Sequence, residues 1–170
     1  LIVPIGKYVL LRACADAGEL QRLGLPVCVS VNISAVQFRE ESFLGMVKGI
    51  LAQTALPPSL LELEITEGVL AHDIAAASAT LGELKAMGVR IAIDDFGTGY
   101  SSLSYLKRLP IDVLKIDQSF VRDMLGDRSD AAIIEAIVRL GQALDLELIA
   151  EGVETQAQVD RLLELGCELM

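Results

Sequence analysis

Hydrophobic and polar positions alternate along the chain between helical and extended periodicity. Ile5, Val9, Leu10, Ala13, Ala17 and Leu20 recur near helical spacing and Gly24 follows, which predicts a helix from Pro4 to about Leu23. The apolar, β-branched run from Val27 to Ile33 predicts a buried strand, too continuous for a sheet with one wet face. A helix from about Glu41 to Ala55 is stopped by Pro57 and Pro58. The cycle then repeats with a strand over Leu60 to Thr66, an alanine-rich helix over His72 to Met87 and a strand over Arg90 to Asp94. A short helix over Ser101 to Arg108 precedes Pro110, and a strand follows over Val113 to Ile116. After an irregular connection come a helix from about Ser129 to Leu144, a strand over Leu146 to Ala150 and a helix over Thr155 to Leu165. Cys167 to Met170 reads as the first half of one more strand.

Strict strand–helix alternation with strands buried on both faces implies a parallel α/β architecture. An open sheet concentrates its chemistry where strand order reverses, whereas a barrel brings every strand's C-terminal end to one mouth. Five consecutive strands here end in polar groups: Asn32, Glu64 with Glu67, Asp94 with Asp95, Lys115 with Asp117, and Glu151 with Glu154. That distribution favours a (β/α)8 TIM-type barrel. Eight such strands typically occupy ~250 residues, and this chain of 170 supplies about five full strands and part of another. Residues 1–170 are therefore expected to be one partial domain that lacks the first strands and the last strand of its barrel.

Composition narrows the function. With 52% hydrophobic residues and a mean hydropathy of +0.50, the chain can bury a dense core. A net charge of −10 disfavours a nucleic acid polymer as partner, and an anionic substrate would need local help from a divalent cation. The absence of Trp argues against base-stacking platforms. Cys14, Cys28 and Cys167 are widely spaced and read as buried free thiols in a reducing compartment, which suits a cytoplasmic domain. His72 is the sole histidine and is expected to play an exposed structural role. No apolar run reaches membrane-spanning length.

The chemistry centres on Ile91 to Ser102, where a β-branched run ends in Asp94 and Asp95 and a glycine-spaced turn follows. Adjacent carboxylates repel unless a cation or donors hold them, although the same pattern fits an acidic turn with Asp95 capping a helix. Taken together, Asn32, Glu64, Asp94, Asp95 and Glu151 form an all-oxygen set suited to Mg2+ or Mn2+. A shared Asp94 would allow two ions, spaced ~3.5–4 Å as in two-metal phosphoesterases. Lys115 is the only cation among these strand ends and could orient a water or stabilise phosphoryl charge.

Val31-Asn32-Ile33-Ser34 with Gln37-Phe38, Leu63-Glu64-Ile65-Thr66-Glu67, Asp94 to Leu103, Leu106 to Asp117 and Ile149 to Thr155 closely resemble the EAL-domain cyclic di-GMP phosphodiesterases. The likeness runs through all 170 residues. It implies a modified (β/α)8 barrel that hydrolyses cyclic di-GMP to linear pGpG with two Mg2+ or Mn2+ ions. By resemblance, Asn32, Glu64 and Asp94 hold the first ion, and Asp94, Asp95 and Glu151 the second. Lys115 touches the hydrolytic water, and Glu151 is a ligand first and a general base second. Glu67 anchors the Asp95–Ser102 loop, which in the family links the metal site to a homodimer through that loop and the helix after it. Glu154 is expected to face substrate or support the ligands. Members of the family often carry diguanylate cyclase or sensory domains, sometimes anchored in a membrane, and a parent protein could do the same.

The likeness also places the family's Glu-Ala-Leu motif before Leu1 and a glutamine just after Met170, so the 170-residue chain alone is expected to fold poorly and to turn over slowly or not at all. Two rivals share the scaffold. Mg2+-dependent enolase-type proton abstraction fits Asp and Glu on successive strands but not the paired Asp94 and Asp95. A cyclic di-GMP receptor without hydrolysis, or a protein-interaction module, is the other.

Overall fold

The computed structural model describes residues 1–70, 73–98 and 106–170. Helix α1 (Ile2–Arg22) is followed by strand β1 (Val29–Ile33), the short α2 (Ala35–Phe38) and α3 (Phe43–Thr54). A 3-10 turn (Pro58–Leu60) leads into β2 (Leu61–Thr66), α4 (Glu67–Leu70), α5 (Ile74–Ala86) and β3 (Arg90–Phe96). Then come β4 (Val113–Ile116), α6 (Gln118–Asp123), α7 (Arg128–Ala143), β5 (Glu147–Ala150) and α8 (Gln156–Leu165).

The five strands pair in sequence order, all parallel, which is how consecutive β/α units wind a barrel wall. The barrel is incomplete in this chain. Beyond β5, Leu169 pairs with Ile149 in parallel and its carbonyl accepts from Ala150 N at 2.9 Å, so the terminal segment begins to extend the wall.

Successive side chains alternate between the sheet's two faces. Val31, Ile33, Leu61, Leu63, Ile65, Ile91, Ile93, Leu114 and Ile116 point outward and are buried beneath the helices, forming the apolar core. The register places Ser30, Glu62 and Arg90 side by side on the opposite, inner face, with Asn32 beside Glu64 one pleat higher. The inner face is charged. The expectation of strands buried on both faces holds for β2 and β4, where every residue but Thr66 is buried, and is corrected in β1, where Ser30 and Asn32 are exposed. The run looked continuous because short polar residues sit between valines and isoleucines, and β1 lies at the edge of the sheet.

Other boundaries shift by one or two residues. The fifth helix starts at Ile74, with Asp73 accepting from Ala76 N at 3.0 Å as its cap, and His72 lies outside the described residues. So do residues 101–105 of the expected Ser101–Arg108 helix. Cys14 and Cys167 are buried, and burial pushes the Cys14 thiol up to about 11. Cys28 is exposed, contrary to expectation, because it precedes the edge strand. Among the described residues no helix is long and apolar enough to cross a membrane.

Candidate metal centre

The site is built from the C-terminal ends of β2 to β5. Between β3 and β4 the register steps from Ile93 opposite Leu114 to Phe96 opposite Ile116, so three residues advance against two. The extra residue makes a β-bulge at Asp94–Asp95. Asp95 takes a left-handed backbone there, with φ 53°, and its N–H donates to Asp94 Oδ1 at 3.1 Å. A regular pleat would send adjacent side chains to opposite faces. With the bulge, oxygens of Asp94, Asp95 and Glu151 all lie within 4.8 Å of one another.

Lys115, on the inner face of β4, stands at the hub of this cluster. Its Nζ lies 2.5 Å from Glu151, 3.1 Å from Glu64 and 3.2 Å from Asp94. Burial pushes the ammonium's pKa down, but hydrogen bonds to Glu151 and Glu64 and the charges of Glu64 and Asp94 outweigh it, so the lysine is held charged. Three carboxylates thus share one ammonium. Burial, a hydrogen bond to Asp117 and the neighbouring Asp94 charge raise the Asp95 carboxyl above its ordinary range. Asp117 goes the other way: burial pushes it up, but hydrogen bonds from Ser119 and Asp95 outweigh that and lower it. Protonation and pairing with Lys115 are two ways to relieve such crowding, and a divalent cation is a third.

The turn after β5 delivers Glu151. Its N–H donates to the Ile116 carbonyl at 3.1 Å, and the next residue, Gly152, has φ 68°. A Cβ at Gly152 would sit 2.6 Å from Gln118 Cβ, so the approach of this turn to the start of α6 admits glycine alone without a shift.

Residues 1–170 match the EAL domain family. This chain is an EAL domain. It is 48% identical to the bifunctional diguanylate cyclase/cyclic di-GMP phosphodiesterase MucR of Pseudomonas aeruginosa over 98% of its own length and 24% of MucR's. It is 44% identical to the signaling protein YkoW of Bacillus subtilis over 99% of its length and 21% of YkoW's. The chain therefore spans about a quarter or less of these relatives. Among solved structures, it is similar to the PaMucR phosphodiesterase in complex with c-di-GMP, with a TM-score of 0.95 and 48% identity over 98% of this chain and 68% of that one. It also resembles the EAL domain of Mycobacterium smegmatis DcpA, at a TM-score of 0.89 and 43% identity over 96% of this chain and 74% of that one.

In this EAL domain, Glu64, Asp94, Asp95, Lys115 and Glu151 converge at one end of the sheet. Lys115 pairs with the three acids rather than with Asp117, and Asp95 shapes a bulge rather than capping a helix. Asn32 sits opposite Glu64 in the β1–β2 register but is exposed. Glu67 is buried at the start of α4, directly after β2. The loop it was expected to anchor runs into residues 99–102, outside the described residues, as does part of the expected dimer surface. Glu154 is exposed, and its backbone N–H donates to Gln158.

The donor set suits a hard divalent ion: every candidate ligand is an oxygen, and three carboxylates lie within reach of a common point. Sequence reasoning missed two features. The Asp95–Asp117 hydrogen bond depends on the bulge, which no spacing rule announces. Gln158 was visible as the fourth residue of Thr155-x-x-Gln158, a capping-box spacing.

Proposed function

We propose that this EAL domain hydrolyses one phosphodiester bond of cyclic di-GMP to linear pGpG with two Mg2+ or Mn2+ ions. The observation that carries this reading is the Asp94–Asp95–Glu151 cluster with the Lys115 ammonium beside it. In this reading Asn32, Glu64 and Asp94 hold one ion, and Asp94, Asp95 and Glu151 the other. When bound, the ions supply Lewis acidity at the phosphodiester and lower the pKa of water. Lys115 is charged, buried and fixed by three acids, so its Nζ is placed to donate to the attacking water or to a phosphoryl oxygen as charge builds. Glu151 holds its ion and offers a carboxylate to receive a proton. Glu67 anchors the loop after Asp95, and Glu154 faces substrate. The MucR likeness supports a cyclic di-GMP ligand and a diguanylate cyclase unit in the same protein as further proposals; a homodimer through the loop and helix after Asp95 is proposed from the family resemblance alone.

The test is incubation of the natural full-length protein with cyclic di-GMP and Mn2+, followed by chromatography. Metal-dependent appearance of pGpG that Glu151→Ala abolishes supports the proposal. Nucleotide binding in Ca2+ without cleavage in Mg2+ or Mn2+ would leave a receptor instead.

A further inference from the structure

The turn that carries Glu151 ends at Thr155, the N-cap of α8, and a buried glutamine governs it. Gln158 is 5% exposed. Its Oε1 accepts from the backbone N–H groups of Glu154 and Thr155, both at 2.9 Å, while its own N–H donates to Thr155 Oγ1 at 3.3 Å. Its Nε2 donates to the Val121 carbonyl, 37 residues away in α6, at 3.0 Å. The Oε1 bonds complete a capping box, for which glutamate serves as well as glutamine. The bond to Val121 needs a donor, which an ionised glutamate lacks. The amide therefore does more than start a helix.

Helix α6 begins three residues beyond Lys115, with Asp117 as its cap. The Glu151 turn is tied to this segment at three levels: Glu151 N–H to the Ile116 carbonyl, Gly152 against Gln118, and Gln158 to the Val121 carbonyl. We infer that Gln158 is a positioning residue that docks the Glu151 turn onto the segment following Lys115 and so sets where the Glu151 carboxylate meets a divalent ion. The inference rests on Glu151 being a metal ligand.

Mn2+ binding to the natural full-length protein, measured by calorimetry, tests it. Losing a group that supports a ligand typically weakens metal binding about 10–100-fold. Q158M is expected to weaken the Glu151-dependent Mn2+ site by about that factor. Q158E keeps the acceptor oxygens and side-chain size but loses the donor to Val121, and is expected to follow Q158M; it also decides the question should Q158M fail to fold. In an Glu151→Ala background, Q158M should leave the remaining Mn2+ affinity unchanged, because coupled residues do not add. An equal loss in that background, or Q158E binding Mn2+ like the unsubstituted protein, overturns the inference. Unsubstituted protein that binds no Mn2+ overturns it together with the metal reading. Mn2+ binding without cyclic di-GMP cleavage overturns only the hydrolytic reading.

Discussion

Asp94 and Asp95 are chain neighbours whose carboxylates meet around one point, because a bulge and a left-handed Asp95 backbone cancel the alternation of the strand. Asn and Asp tolerate this conformation better than other side chains with a Cβ, at a cost otherwise of about 1–2 kcal/mol. Position 95 is thus constrained twice, by backbone and by charge. Asp95→Asn should keep the fold while weakening Mn2+ binding, and Asp95→Ala should be less stable than Asp95→Asn by roughly that cost. Urea unfolding of the metal-free variants beside Mn2+ titrations checks both.

The same carboxyl makes a pH prediction. Its pKa is raised in the fold by burial, the Asp117 hydrogen bond and the Asp94 charge, so its neutral form is favoured there. The stability it contributes is complete below the unfolded carboxylate value and is lost as pH rises through the higher folded value. Asp117 is lowered, so its contribution is lost only as pH falls through a value below the ordinary range. Between the ordinary carboxylate value and the raised Asp95 value, acidifying the metal-free protein should therefore contribute stability. Asp95→Asn should lose that gain. Mn2+ affinity should move oppositely, rising with pH as the proton leaves. Unfolding and Mn2+ titrations across this window decide it.

Lys115→Ala leaves Glu64, Asp94 and Glu151 without their shared ammonium. Stranding buried charge typically costs about 3–5 kcal/mol, so the metal-free variant should unfold at markedly lower urea. Saturating Mn2+ should restore more stability to it than to the unsubstituted protein, because an ion can take over part of the neutralisation. Hydrolysis should nevertheless fall roughly 100- to 1,000-fold, the scale seen when one charge-stabilising donor is removed.

Gly152 and Gly24 separate backbone conformation from close approach. Both have positive φ, 68° and 82°, but a Cβ at Gly24 meets nothing within 4 Å whereas one at Gly152 meets Gln118 at 2.6 Å. Gly24→Ala should cost only the left-handed penalty of about 1–2 kcal/mol and leave kcat unchanged. Gly152→Ala should cost more and reduce kcat, since the turn must move and Glu151 with it. Thermal unfolding and steady-state kinetics on both variants distinguish the two effects.

Below the metal centre, at the N-terminal ends of the strands, Arg90 joins Glu62 at 3.1 Å and Glu147 at 2.6 Å, and Ser30 Oγ donates to Glu62 at 2.8 Å. Arg90→Met should destabilise the fold by about 1–3 kcal/mol, because Glu62 is buried and keeps only the Ser30 hydroxyl once its ion-pair partner is gone. Adding Glu62→Gln should recover part of that loss. A double-mutant unfolding cycle measures the coupling.

Much of this was legible in the sequence. Order and type of the five strands followed from apolar runs set between helical periods, and the polar group ending each run marked the mouth. The inner face was not legible. Glu62, Arg90 and Glu147 alternate with outward apolar residues in runs too short for alternation to stand out, and their mutual pairing is set by register between strands. Helices α2, α4 and α6 were also missed, being a single turn or little more, below the length at which periodicity registers. The bulge was hidden for a related reason: two acids in a row read as the end of a strand, while the strand continues to Phe96.

The most direct measurement is anomalous diffraction from crystals of the natural protein grown with Mn2+. The account predicts Mn2+ peaks bonded to carboxylate oxygens of Asp94, Asp95 and Glu151, at the ~2.0–2.6 Å typical of hard cations, with Lys115 close by. Well-ordered crystals at saturating Mn2+ with no peak among these three side chains, or with peaks bound only elsewhere, would contradict it.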